Sequence, residues 1–334
     1  MPTITVIITY FNEPIEFIKG CISSILNQSF KDYEIIVVND GSTLDKSQEL
    51  RNECNKINNL MLIEQSNQGV SAARNTAMKN AQGKYIVFVD ADDYISNSFF
   101  SEAIEIAERW RADIVYSYAM QTENELSAFP SSTSYPVHKV DDKWLIEHTV
   151  GTLYRDGSVI FGRGPWARFV RAEIANTVAF PERVPIGEDV IWNLGIIRNA
   201  HTKVLAETVW YKYMVRPTSV TKKFDSRIGE KLIPFYNQIK NSVDENTIDS
   251  YQYYKRVARD LKRYLFWSNY GNEDNNDSFI NRWRCFNNEL RKEPWNYLTN
   301  HKQFSLSNRE KMRELAIRLR IIFPIWYIIS KVRH

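Results

Sequence analysis

Three aspartates fall within four positions in YIVFVDADDY, Tyr85–Tyr94, where an apolar run of strand-forming residues stops. Asp90 and Asp92 stand two apart just beyond a strand end, so both can aim at one point. Hard carboxylate oxygens that leave coordination positions open suit Mg2+ or Mn2+ carrying a diphosphate. One aspartate there would read as a cap on the next helix. Three like charges need something positive among them. An EF-hand calcium loop is excluded, because its Gly and closing Glu are missing. In NDGS, Asn39–Ser42, Asp40 can accept hydrogen bonds from a ribose or a base edge, and Gly41 permits close approach. A plain β-turn has the same letters. Arg74, in GVSAARN, can reach a base or phosphates, or serve as a solvated helical charge. Glu188 and Asp189, in IGEDVIW, open a predicted helix, where acids favour the dipole; the residues alone leave open whether they do chemistry.

The elements that must position these groups alternate regularly over the first ~120 residues. TVIIT, EIIVVND, LMLIEQ, YIVFVD and DIVYSYA read as strands. PIEFIKGCISSILNQS, LDKSQELRNECNKI, GVSAARNTAMKNAQG and NSFFSEAIEIAERWRA read as helices. Near-continuous apolar strands separated by helices predict a mainly parallel sheet covered by helices on both faces, an α/β fold. Ligands of such sheets bind beyond the carboxyl ends of strands, and TYFNE, NDGS and DADD all fall there. Residues 121–150 are polar and read as a loop or excursion, and KVLAETVWYKYMVR reads as strand–turn–strand. The chain divides at this level into an α/β domain, 1–220, and a mostly helical, basic C-terminal extension, 221–334.

Net charge over 334 residues is only +3, which argues against a nucleic-acid binder. Cys21, Cys54 and Cys285 lie far apart, which fits a reducing cytoplasm. MPTITVIITYFNE enters a strand at once without a basic n-region, so no signal peptide is expected, and no apolar run is long enough to span a membrane.

Together VIITYFNE, VVNDGS, NQGVSAARNTAMKNAQGKYIVFVDADD and IGEDVIW resemble family 2 of the glycosyltransferases, inverting enzymes of the GT-A fold that use nucleotide sugars. The resemblance covers about the first 220 residues. It implies that Thr9, Phe11 and Asp40 hold the uracil; Thr9 and Phe11 stand where members commonly carry Pro and Tyr, and Phe11 keeps a stacking face. It implies a nucleotide contact for Arg74, the metal ligand in Asp92, a ribose or metal-water contact for Asp90, and a structural Asp93. Glu188 and Asp189 match the catalytic stretch, with Asp189 implied as the base and Glu188 as its support or as an acceptor contact. GPWARFVRAEI resembles a Trp-containing segment near the acceptor site, implicating Trp166 and Arg168; a core Trp is the competing reading. RPTSVTKK resembles a loop over the diphosphate, with Arg216, Ser219 and Thr221 as donors.

The resemblance therefore implies a metal-dependent hexosyltransferase using Mn2+ or Mg2+. It would move a hexose from a UDP-sugar to a saccharide acceptor hydroxyl, giving a β-linkage from an α-linked donor. A lipid-linked acceptor in capsule, exopolysaccharide or O-antigen assembly is expected, on the inner face of the cell membrane. A sugar nucleotidyltransferase would want a Gly-rich loop after the first strand, and TYFNEP has none. A non-catalytic nucleotide-sugar-binding protein conflicts with the presence of Asp92 and Asp189. At the C-terminus, Met312, Leu315, Leu319, Ile322, Trp326 and Ile329 recur at helical spacing, with Arg309, Arg313, Arg320 and Lys331 on another face and a kink expected at Pro324. Peripheral membrane contact and docking on the core or on a second copy in a homo-oligomer both stay open.

Overall fold

The computed structural model describes residues 1–334 apart from 126, 131–133, 152–153, 217–223, 245–247, 302–303 and 333–334. The chain folds into two compact units. The first comprises Met1–Thr149, Leu153–Arg183 and Glu188–Val215; the second comprises Val150–Thr152, Val184–Gly187 and Arg216–His334.

In the first unit β1 (Ile4–Tyr10), α1 (Ile15–Leu26), β2 (Tyr33–Asp40), α2 (Leu44–Cys54), β3 (Leu60–Gln65), α3 (Val70–Asn80) and β4 (Tyr85–Phe88) alternate as expected. Then come β5 (Tyr94–Ile95), α4 (Phe99–Trp110), β6 (Ile114–Thr122), β7 (Val137–Lys139), α5 (Asp142–Ile146), β8 (Arg155–Asp156), β9 (Val159–Ile160), β10 (Arg168–Arg171), α6 (Ala172–Ala175), α7 (Glu188–Asn199) and β11 (Lys203–Met214). The strand order is β3-β2-β1-β4-β10-β6-β11-β5, with β7 on β11 and β9 on β6. β3, β2, β1 and β4 run parallel, as do β6 and β11, while β10 runs antiparallel to both its neighbours.

β1, β2 and β4 are buried on both faces, which explains their unbroken apolar sequence, while β3 at the sheet edge is only partly covered. On one side Ile4, Val6 and Ile8 meet Ile18, Cys21, Ile22 and Ile25, an i, i+3, i+4, i+7 stripe of α1, and Phe99 and Phe100 of α4. On the other, α3 lies on β1 and β2 through Ala73 and Ala77, and Phe88 meets Trp192 of α7 edge to face. Register matches Tyr10 with Asn39, Asp40 with Gln65 and Ile7 with Phe88. The loops after β1, β2, β3 and β4 therefore open on one edge of the sheet.

Two expectations change. KVLAETVWYKYM is one strand, because the polar Glu207–Thr208 step is held as a bulge. Register shifts between Leu205 and Val209, and β7 pairs there, with Glu207 N–H donating to the Pro136 carbonyl. The 121–150 stretch that read as loop supplies that partner and also α5, which Asp141 caps by accepting from Trp144 N–H at 2.7 Å. Its pairing is non-local, so no local pattern announces it.

The second unit contains α8 (Ile228–Asp244), α9 (Ser250–Asp260), a π-helical continuation Leu261–Tyr270, α10 (Phe279–Glu289), α11 (Tyr297–Asn300), α12 (Asn308–Arg318) and α13 (Ile322–Val332). Asp260 is fully buried there and accepts from Arg256 at 2.6 Å, Arg259 at 3.1 Å and Tyr236 at 2.9 Å. The expected single kinked C-terminal helix is two helices. The break falls at Arg320, whose φ of 60° is left-handed, and Pro324 sits harmlessly in the first turn of α13. No helix among the described residues is long and apolar enough to cross a membrane.

Candidate active site

The loop after β4 begins at Asp90 and is pinned from both ends. Tyr211, on β11, accepts from Asp90 N–H at 3.1 Å and donates its hydroxyl to Asp93 Oδ2 at 2.6 Å. Asp93 Oδ1 accepts from Met214 N–H at 2.7 Å. Asp93 is buried, and burial with the nearby Asp92 and Asp90 pushes its carboxyl well above the usual range. It ties the loop to β11. Asp90 and Asp92 remain partly exposed beside it.

Arg74, on the buried face of α3, reaches two of the predicted acids at once. Its Nη2 lies 3.4 Å from Asp90 Oδ1, and its Nη1 donates to Glu188 Oε1 at 3.1 Å. Its guanidinium also covers the ring of Phe180 at 5.2 Å. Asn75, the next residue, clamps the Phe180 backbone by donating to its carbonyl at 2.9 Å and accepting from its N–H at 2.8 Å. Glu188 and Asp189 form the first turn of α7, and Asp189 Oδ1 accepts from Val190 N–H at 2.7 Å. Burial and the adjacent Asp189 push the Glu188 carboxyl up to about 7, against the pull of Arg74. Asp90 is raised by burial in the same way, with Arg74 opposing and Asp189 adding to the rise. One guanidinium thus reaches both Asp90 and Glu188, and Asp189 lies beside them as a third carboxyl.

At the neighbouring strand ends, Asp40 is buried and its oxygens hold the β3–α3 turn. Oδ1 accepts from Gln65 Nε2 at 2.8 Å and Gln68 N–H at 2.9 Å, and Oδ2 accepts from Gly69 N–H at 2.8 Å. Gly41 has φ of 74°, and a Cβ there would collide with the backbone of Asn67. Asn12 laces the first two loops together, donating N–H to Ser42 Oγ at 2.9 Å and accepting from Thr43 N–H at 2.8 Å. Thr9 is half-buried, while Phe11 is 46% exposed on this edge.

Trp166 and Arg168 stand differently. Trp166 is buried, stacked on Tyr211 at 4.8 Å and on Tyr213 at 5.5 Å, and its ring leaves no room for a Cβ at Gly162. Arg168 is buried, donates to the carbonyls of Gly162, Gly164 and Trp166, and lies over Tyr116 and Phe161. Its guanidinium knits the 162–166 segment together. Asn193, one turn beyond Asp189, fastens the same segment to α7 by donating to the Arg163 carbonyl at 2.6 Å. Arg216 belongs to the second unit, and Ser219 and Thr221 lie outside the described residues. Tyr211, Asn75 and Asn193 were not singled out by sequence. Each acts by contacting a segment remote in the chain, which no local pattern announces.

A mainly parallel sheet with acids beyond β4, and a second acidic pair folded back against them, defines a glycosyltransferase scaffold of the GT-A kind. The chain belongs to glycosyl transferase family 2, whose family model matches residues 5–177. It is 31% identical to the glycosyltransferase EpsJ of Bacillus subtilis (strain 168) over 257 residues, 75% of this chain and 68% of EpsJ. It is 29% identical over 219 residues, 64% of this chain, to the poly(ribitol-phosphate) beta-glucosyltransferase of Bacillus spizizenii, and covers 32% of that longer protein. In three dimensions the chain resembles S. aureus TarS residues 1–349 in complex with UDP-GlcNAc, with a TM-score of 0.66, 17% identity and coverage of 99% of this chain and 92% of that one. The likeness to TarS is one of fold.

Proposed function

We propose that the protein transfers a hexose from a UDP-sugar to a saccharide hydroxyl with inversion at C1. The observation that carries this reading is the Arg74 bridge, which brings the acid after β4 within reach of the acids that open α7. Thr9, Phe11 and Asp40 would receive the uracil, with the exposed ring of Phe11 as the stacking face. Asp90 and Arg74 would meet the ribose and diphosphate side. The acceptor hydroxyl attacks C1, its proton passes to the Asp189 carboxylate, and the bond from C1 to the diphosphate oxygen breaks on the opposite face. An α-linked donor then gives a β-linked product.

The donor types suit a divalent cation: Asp92 as ligand with Asp90 beside it would offer hard oxygens, in a cluster whose carboxyls outnumber its one arginine. Among the described residues no group of three protein ligands gathers, so an ion there would need diphosphate oxygens and water to complete its shell. Mn2+ or Mg2+ bound there would neutralise charge on the departing UDP. UDP-GlcNAc on TarS supports a UDP-hexose donor, and the beta-glucosyltransferase relative supports a cell-surface polymer as acceptor. A lipid-linked acceptor of the capsule, exopolysaccharide or O-antigen type would place the reaction at the inner face of the membrane.

The test is turnover of a panel of UDP-hexoses with Mn2+, with Mg2+ and with chelator. Activity should require metal; Asp189→Asn should abolish turnover and retain UDP binding, and Asp92→Ala should lose the metal-dependent part of that binding. Undiminished turnover in Asp189→Asn would remove the base assignment, and metal-independent turnover would remove the cation.

A further inference from the structure

The last two helices carry a surface that the transfer chemistry does not use. α12 exposes Met312, Leu315 and Leu319, a stripe at i, i+3 and i+7, and α13 exposes Ile325, Ile328, Ile329 and Val332 at the same spacing. Exposure reaches 73% at Met312 and 79% at Val332, and Ile321 between the helices is exposed as well. Single exposed apolar residues are ordinary on a protein surface; stripes of them on two successive helices are not. Neither helix is loosely placed. Ala316 and Ile317 are buried on the inner side of α12, and Phe323 of α13 is buried against Phe266, Phe279 and Phe286. The capping box of Ser307 and Glu310 fixes the start of α12. The packed inner sides hold the apolar stripes outward.

Charge distinguishes among occupants. Residues 308–334 contain seven Lys and Arg against two Glu, in a chain whose total is only +3. Lys311 borders the stripe of α12, and Arg309 and Arg320 are exposed at the helix ends, while Arg318 beside that stripe pairs with Glu314 at 2.6 Å and Lys331 beside that of α13 pairs with Glu273 at 2.9 Å. A second copy of the chain would bring the same positive excess face to face, which repels. An anionic bilayer offers what the surface lacks on both counts, an apolar interior and a negative boundary.

We propose that this face of α12 and α13 docks on an anionic lipid bilayer. The isoleucines and leucines sink to the level between headgroups and acyl chains, and the basic side chains meet lipid phosphates. The 11 residues of α13 make a helix of about 16 Å, which lies in the interface and does not span it. The proposal does not depend on the transfer reaction, because it stands on this surface alone.

The experiment is sedimentation of the full chain with vesicles of phosphatidylcholine, and with vesicles of phosphatidylcholine and phosphatidylglycerol in equal parts. The protein should pellet with the anionic vesicles, far less with the neutral ones, and less again as salt rises. Leu319→Ser/Ile328→Ser/Val332→Ser should weaken partitioning at least about thirty-fold. Arg309→Glu/Lys311→Glu should abolish the preference for anionic lipid. All five positions are exposed, so both variants should melt like wild type, and the charge variant tests the idea without touching the apolar stripes. Wild type left in the supernatant with anionic vesicles would overturn the proposal, as would equal binding by wild type and both variants. Light scattering that finds a dimer dissolved by the serine substitutions, with no vesicle binding, would assign the face to a second copy instead. Vesicle binding is read without any sugar transfer, so failure of one reading leaves the other standing.

Discussion

Arg74 and Glu188 are 114 residues apart in sequence and meet at 3.1 Å, both side chains nearly out of solvent. The same guanidinium reaches Asp90, so α3, the β4 loop and α7 are joined at one charged point. Removing one partner of a buried charge cluster leaves the others uncompensated.

Arg74→Ala should therefore cost about 3 kcal/mol of stability, seen as a lower urea midpoint, and should abolish turnover. Arg74→Lys keeps the charge without the fork that reaches two carboxylates. It should recover most of the stability and little of the activity. Equal recovery of both would mean that charge alone matters at this position.

Glu188 supplies a pH dependence of known sign. Its carboxyl rises from 4.5 to about 7 on folding, so the folded protein holds the proton more tightly than the unfolded chain. That contribution is complete below about pH 4.5, and it is lost as pH rises through about 7. With chelator and without nucleotide, the melting temperature of wild type should fall across this window more steeply than that of Glu188→Gln. Asp90 shifts in the same direction, so the variant should retain some slope. Parallel curves for the two proteins would contradict the burial of a titrating Glu188.

Tyr211→Phe removes a single oxygen that serves two groups, the Asp93 carboxyl and the Asp90 N–H. The buried carboxyl would keep only its bond from Met214 among those described above. A loss of about 2 kcal/mol is expected by urea unfolding with unchanged m-value. The loop after β4 should loosen too, raising KM for the donor. A variant as stable as wild type would show that Tyr211 is replaceable by packing alone.

Gly41→Ala tests the turn beyond β2. The position combines a left-handed φ of 74° with contact against the Asn67 backbone, so alanine is strained twice over. Stability should fall by more than about 1 kcal/mol, and weaker UDP binding should accompany it. Gly69→Ala is the control: its φ is 91° and its Cβ would meet nothing within 4 Å, so it should suffer only the backbone penalty.

Much of this was legible in the chain. The apolar runs and helical stripes of residues 1–120 marked every strand and helix of the parallel half, because burial on both faces of a sheet writes itself into local composition. The acids after β4 and at the head of α7 were visible by type and position. The hydrogen bonds of Arg168 were not: its side chain donates to three carbonyls of the 162–166 segment, a set of partners that residue type alone does not specify. The unbroken β11 and its partner β7 were likewise invisible, since a bulge is stabilised by the strand opposite it. At the C-terminus the spacing of apolar residues was correct, yet Ile322 is buried while Ile325 and Ile328 face outward. A break at Arg320 resets the phase of the following helix.

By itself, then, the sequence determined which residues could carry charge and where strands must end. Those properties are local: a carboxylate is one wherever the chain goes, and an apolar run must be buried somewhere. Only the tertiary structure decided which carboxylates share an arginine, which tyrosine pins the loop, and which faces stay exposed. Those are contacts between distant segments, and their energies depend on distances and burial that exist only once the sheet has closed around them.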